Sequence, residues 1–155
     1  MKKKGTGCID ICVMIVVLCS ILSVLITYVL AVNVIKINKL NARIVLDNFV
    51  MQNSIEIYDS IKNGNDFTEA VDTDEYIDSL CSYNSLDFRG NMLYCVGENG
   101  KQKYRMTIPN LSLTEGNRLK IAAKYEITVP LYFAGIKVHN VTVPITVESK
   151  FKDKF

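Results

Sequence analysis

Apolar side chains run without a single charge from Ile11 to Ile35, about 25 positions, and polar residues then return in a regular rhythm. Wound as a helix at about 1.5 Å per residue, the run is long enough to cross a hydrocarbon core of about 30 Å. A soluble helix of this length with no polar face would need protein on every side. Beyond it, Ile37, Leu40, Ile44, Met51, Ile55 and Tyr58 recur at spacings of three, four or seven, with Lys39, Arg43, Asp47 and Lys62 between them or just beyond. No Pro or Gly occurs from Val13 to Asn63. One helix of about 50 residues is therefore expected, ending near Asn63-Gly64-Asn65, where Gly and Asn supply a C-cap. Its outer apolar stripe needs a layer laid on it, which the rest of the chain must provide.

Asp66-Phe67-Thr68-Glu69 reads as a capping-box start for a second helix through about Leu80, with Phe67, Val71, Ile77 and Leu80 as core candidates. From Arg89 the pattern changes to alternation and turns. Residues 91–96 and 101–108 flank Gly97-Glu98-Asn99-Gly100, a hairpin signal. Residues 119–133 and 136–151 read as two long strands around Ala134-Gly135, with Val141, Val143, Ile145 and Val147 alternating against Thr142, Thr146 and Glu148. Pro130 and Pro144 point to edges, bulges or breaks. The expected fold class is α+β: a long N-terminal helix, a short second helix, and a C-terminal antiparallel sheet of about four strands packed on the long helix. The implied organisation is a basic leader at 1–10, a transmembrane helix at 11–35, its soluble continuation at 36–63, and a helix-plus-sheet head at 66–155.

Composition sharpens this plan. A chain 49% hydrophobic and 22% charged is neither disordered nor collagen-like. Of the net charge of +2, all is carried by Lys2, Lys3 and Lys4 against Asp10, since 15 basic residues meet 15 acidic ones from Lys36 onward. The folded part thus has no basic excess of the kind that holds nucleic acid. Within it, seven acids and no base lie between Asp66 and Asp87, whereas eleven bases face five acids from Phe88 to Phe155. Either the acidic helix lies near its own sheet's basic rim or one subunit's acidic face meets another's basic face, and exposed pairs contribute little individually. The acids lack the Asp-x-Asp-x-Asp-Gly spacing of a calcium loop, so a solvated acidic face is expected and no metal. His139 is the only histidine and there is no Cys-x-x-Cys, which removes a zinc reading. No phosphate loop, nucleophile elbow or zinc-protease motif is present, so no catalytic residue, cofactor or small-molecule substrate is expected. Cys8, Cys12 and Cys19 lie at or within the apolar run, where a thiol behaves as a small apolar group. Cys81 and Cys95 are a candidate disulfide if the head lies in an oxidising compartment, and two buried thiols are the alternative.

The N-terminus carries the sharpest motif. Lys2-Lys3-Lys4 lead to Gly5, and Asp10 is the fifth residue after it, followed at once by the apolar run. A carboxylate at a membrane boundary is costly unless it snorkels, protonates or meets a cation. The plain reading is an acid favoured by the positive end of the helix dipole. The arrangement also resembles the class III signal of type IV pilin-like proteins, in which a membrane peptidase cuts on the cytoplasmic side after a glycine and leaves the apolar helix attached. The resemblance implies a cut between Gly5 and Thr6, with Asp10 in the place of the family's fifth-position glutamate. There it would neutralise the new ammonium on a neighbouring subunit's Thr6 and set the register of packed helices. This chain departs from the pattern in having Asp for Glu, and in Gly7, a rival cleavage point that would leave Asp10 third.

As a whole the plan is similar to pseudopilins, closest in size and style to TadE-like minor pseudopilins and related short membrane proteins of Gram-positive bacteria. That likeness implies a non-enzymatic, single-pass component of a pilus, secretion or DNA-transfer assembly. It also implies a cytoplasmic N-terminus and an extracytoplasmic head in the cell membrane. The implied partners are membrane lipid, other pilin-like subunits and a prepilin peptidase, with no nucleic acid. Flanking charge does not orient the span, because Lys2, Lys3, Lys4 and the amino terminus oppose Lys36, Lys39 and Arg43. Two other readings stay open. One is an anchored binding module that never assembles; the other is a secreted protein cut after Val29-Leu30-Ala31, leaving Val32 first.

Overall fold

A computed structural model describes residues 6–63, 72–114, 120–133 and 135–150. Helix α1 spans Thr6–Gln52, 47 residues and about 70 Å. After Asn53 the chain resumes as α2, Ser54–Lys62. The expected single helix is thus interrupted once. Asn53 explains where: its backbone N–H and its side-chain Nδ2 both donate to the Phe49 carbonyl, at 3.0 and 3.1 Å. A short amide competing for a helical carbonyl loosens the ladder locally. Gly64, Phe67, Val71 and the Asp66 to Glu69 box lie outside the described residues. The described helix in this region, α3, spans Thr73–Asn84. Asp72 caps it, its carboxylate accepting from the backbone N–H of Asp74 at 2.9 Å and Glu75 at 3.4 Å. Ser85 ends it at φ 50, ψ 55, a left-handed position that usually belongs to glycine.

The sheet has six antiparallel strands: β1 (Leu86–Arg89), β2 (Met92–Val96), β3 (Gln102–Thr107), β4 (Asn110–Thr114), β5 (Lys120–Phe133) and β6 (Ile136–Lys150). Two were not expected. β1 is four residues squeezed between the α3 cap and a turn, and β4 is cut from β3 by Pro109. β3 and β4 lie end to end along one edge of β5, and the register slips by one residue between Met106↔Ile127 and Asn110↔Lys124. The sheet is therefore close to a meander: β1, β2 and β3 pair in sequence, β3 and β4 both pair with β5, and β6 pairs with the other edge of β5. Turns sit where the sequence places them, with Gly97 N–H closing onto the Lys101 carbonyl at 2.8 Å, and Gly135 at φ +81 between β5 and β6.

Both prolines have a reason for their positions. The Glu126 N–H turns away from β6, donating to Thr107 Oγ1 at 2.9 Å, so Glu126 and its partner Pro144 form a non-hydrogen-bonded pair. Pro144 then aims its missing N–H at the free edge of β6. Pro130 is four residues beyond Glu126 and has the same phase, so its missing donor faces β3. The β3–β5 ladder accordingly ends at Thr128, and the β5–β6 hairpin continues alone.

Helices α1 and α3 cover one face of this sheet, making two layers. The inner side of α1 buries Ala31, Asn38, Ala42, Val45, Leu46 and Phe49 against Ile121, Tyr125, Ile127, Ile145 and Val147. α3 closes the end with Tyr76, Ile77 and Leu80, the Tyr76 ring meeting Phe49 edge-on at 5.6 Å. The sheet does not lie on the stripe expected from the sequence. Ile37, Leu40, Ile44, Met51 and Ile55 are 59, 58, 36, 71 and 74% exposed, and the side chain of Tyr58 is outside the described residues. At 100° per residue the buried and exposed sets lie roughly 150° apart on α1. The sheet takes the side on which Ala31 and Ala42 let backbone layers approach and Val45, Leu46 and Phe49 fill the space between them, leaving the other stripe uncovered.

Candidate functional site

No side chain from Ile9 to Leu30 is buried. This part of α1 is long and apolar enough to cross a membrane as a single pass or to act as a signal-like segment. Two of its hydroxyls bond within the helix. Ser20 donates to the Val16 carbonyl at 2.8 Å and Thr27 to that of Ser23 at 2.9 Å, as hydrocarbon surroundings require. Asp10 stands exposed near the start of α1. Gly5 lies outside the described residues.

A second feature went unread in the sequence. The β5–β6 hairpin, freed from β3 beyond Pro130, runs back along α1 towards its N-terminal half. Thr27 Oγ1 lies 3.4 Å from the Tyr132 carbonyl, also in donating range. Between the two elements is a cleft of about 390 Å³ walled by Val24, Tyr28, Leu131, Phe133, Val138 and His139. The tip carries further exposed apolar surface, with Ile136 72%, Val138 65% and Phe133 38% exposed. Lys101, from the β2–β3 turn, holds its ammonium 5.9 Å over the Tyr132 ring. The missed signal was Phe133 and Ile136 flanking a tight turn, where polar residues ordinarily belong.

Deeper in, Asn38 is a polar residue only 1% exposed in the helix–sheet interface. Its Oδ1 accepts from the Tyr125 hydroxyl at 2.8 Å and its amide nitrogen lies 3.8 Å from Met106 Sδ. Tyr76, from α3, reaches the Ala42 carbonyl at 3.5 Å. Burial drives the Tyr76 and Tyr125 hydroxyls well above the ordinary phenol value, Tyr125 being raised further by Tyr76 and Tyr104. Tyr104 is pushed up to about 12 by burial, with Cys95 adding to the rise and a hydrogen bond from Asn38 opposing it. These groups lock α1 to the sheet at one register.

The remaining sequence candidates are dispersed. Cys81 and Cys95 do not form the candidate bridge: both are free thiols. Cys95 is buried on β2 across from Leu86 and Tyr104, whereas Cys81 is half-buried near the end of α3, its thiol raised by burial and by Asp78. The α3 acids meet no base among the described residues, where the ion pairs are Arg43–Asp47, Arg89–Asp87 and Lys120–Glu148. Asp72 is used as a cap, and Asp74, Glu75 and Asp78 face solvent. Among the described residues no three His, Cys, Asp or Glu side chains come together as a metal site. No family model, curated protein or solved structure matches the chain. The exposed apolar features among the described residues are a bare helix, an uncovered stripe that prolongs it, and a hairpin tip beside it.

Proposed function

We propose that this chain is a non-enzymatic, single-pass membrane protein that assembles through its long helix, in the manner of a pseudopilin-like component of a pilus, secretion or DNA-transfer machine. The observation that carries the reading is the second apolar stripe of α1. Ile37, Leu40, Ile44 and Met51 continue the bare segment outward for about 21 Å on the side the sheet leaves open, and Ile55 on α2 is exposed beyond them. A protein that only held a head at the membrane would have no use for an uncovered stripe at helix-packing spacing, whereas helices associating side by side need one. The division of one continuous helix into a bare half and a half laid on an antiparallel sheet agrees with the pilin-like plan. In this reading the N-terminus is cytoplasmic, the head extracytoplasmic, Gly5-Thr6 the processing point, and Asp10 the partner of a neighbouring subunit's Thr6 ammonium.

The secreted alternative fits less well. A cut after Ala31 would fall inside an unbroken helix at a residue 5% exposed, severing Thr27 from the hairpin it touches. The anchored module that never assembles is the reading to test against. Mature N-terminal sequencing should give Thr6. In native membranes, chemical cross-linking should yield oligomers that are lost in Leu40→Glu and in Asp10→Ala, while both variants stay membrane-integrated. Unchanged cross-linking in both would remove the assembly role, and Val32 as first residue would make the protein secreted.

A further inference from the structure

We infer that the tip of the β5–β6 hairpin enters the membrane beside α1, taking lipid acyl chain against its apolar surface and into the cleft between the two elements. The inference rests on α1 being a membrane span. The hairpin's place on α1 then fixes where the bilayer surface lies. Were the boundary at Ile35, where the chargeless run ends, the sheet residues on Ala31 and Val34 would be submerged with the nearby Lys101 and Lys103. Drawn from Ile11, the first residue after Asp10, a core of about 30 Å takes about 20 residues and ends at Leu30. Tyr132 meets Thr27 within one helical turn of that level.

From that contact β5 continues in the direction of the helix N-terminus, because Tyr125 is beside Asn38 and Tyr132 beside Thr27. Phe133, Gly135 and Ile136 therefore project past that contact by about 7 Å, two residues at strand rise, a depth typical of interfacial insertion. The residue chemistry fits lipid. Ile136 is exposed at the tip, Val138 and Phe133 are exposed at the rim of the cleft they line, and there is no acid anywhere from Val129 to Val141. Tyr28 and Tyr132 stand at the boundary as interfacial aromatics, and Lys101 and Lys137 stand where ammonium groups reach phosphates. The Glu98 carboxylate on the β2–β3 turn is the one opposing charge nearby in sequence. Continuity with the bare helix makes lipid the occupant, since the cleft opens between Val24, Tyr28 and the tip, at the depth of the acyl chains.

The chain has no tryptophan, so one substitution supplies a unique fluorophore. Ile136→Trp, at a site 72% exposed, leaves the fold undisturbed. The full-length protein is reconstituted in vesicles of phosphatidylcholine and phosphatidylglycerol, with or without lipid brominated high on the acyl chain. Ile15→Trp reports the span, and Phe88→Trp, on β1, reports the far side of the head. The expected result is blue-shifted emission from Ile136→Trp that loses most of its intensity to brominated lipid, like Ile15→Trp and unlike Phe88→Trp. Quenching of Ile15→Trp with water-like, unquenched emission from Ile136→Trp would overturn the insertion and leave the span standing. Blue-shifted but unquenched emission would seat the tip on protein and also overturn it. Absence of quenching at both sites would overturn the span and the insertion together.

Discussion

Asn38 offers the most direct test of how the head is fixed to its helix. Replacing it by Leu keeps the volume roughly constant, so little cavity opens. What is lost is the acceptor for the Tyr125 hydroxyl, on a side chain 4% exposed with no water to replace it. An unsatisfied buried hydroxyl costs about 1–3 kcal/mol, and the Tyr104 hydroxyl loses its neighbour as well, so Asn38→Leu should cost about 2–3 kcal/mol. Tyr125→Phe leaves the Asn38 carbonyl oxygen short of one donor and should cost about 1–1.5 kcal/mol. The double variant removes both ends of the bond and should fall well short of the sum, leaving a coupling of about 1.5 kcal/mol. Urea unfolding of the full-length protein in mild detergent, followed by tyrosine circular dichroism, measures all four species. Costs that add to within about 0.5 kcal/mol would refute the account of Asn38 as the lock between helix and sheet.

Two further outcomes follow from the same interior. Tyr76, Tyr104 and Tyr125 keep their protons in the folded state above pH 10, where the unfolded chain releases them, so stability is fully present below pH 10 and falls above it. Each contributes a slope of about 1.4 kcal/mol per pH unit, together about 4. Urea midpoints read alongside tyrosinate absorbance check this, and titration of all eight tyrosines near pH 10 in the folded protein would contradict it. Ser85→Gly should raise stability by about 0.5–1 kcal/mol by relieving the left-handed cap at φ 50, read as a higher thermal midpoint. No gain would mean that the Ser85 backbone is unstrained.

Much of the architecture was legible because it depends on features that sequence records locally. The chargeless run, the absence of Pro and Gly through Asn63, the Gly97–Gly100 turn and the alternation of β6 each specify their element whatever surrounds them. The face of α1 that meets the sheet is not of that kind. Two apolar stripes run along the helix, one bearing Ile37, Leu40 and Met51 and the other bearing Ala31, Ala42, Val45, Leu46 and Phe49, and only the shape of the sheet laid on them separates the two. Asn38 was invisible for a related reason: a buried Asn is recognisable only once Tyr125, 87 positions away, is seen opposite it. The expected capping box at Asp66 and Glu69 lies outside the described residues, and Asp72 and Glu75 repeat its spacing six residues later at the start of the described helix. The hairpin tip escaped notice because apolar residues at a turn look like strand ends until the helix beside them is in place.

Pro144 has a consequence for crowding. Proteins held in one membrane share a thin layer with their heads at a common height, so exposed strand edges meet far more often than in free solution. A 15-residue edge such as that of β6 would, under those conditions, be a template for stacking one sheet onto the next. With its donor missing near the middle of that edge, the strand offers an approaching chain no continuous ladder to complete. However closely copies of such a strand are packed, an edge interrupted there resists extension into a β-fibre.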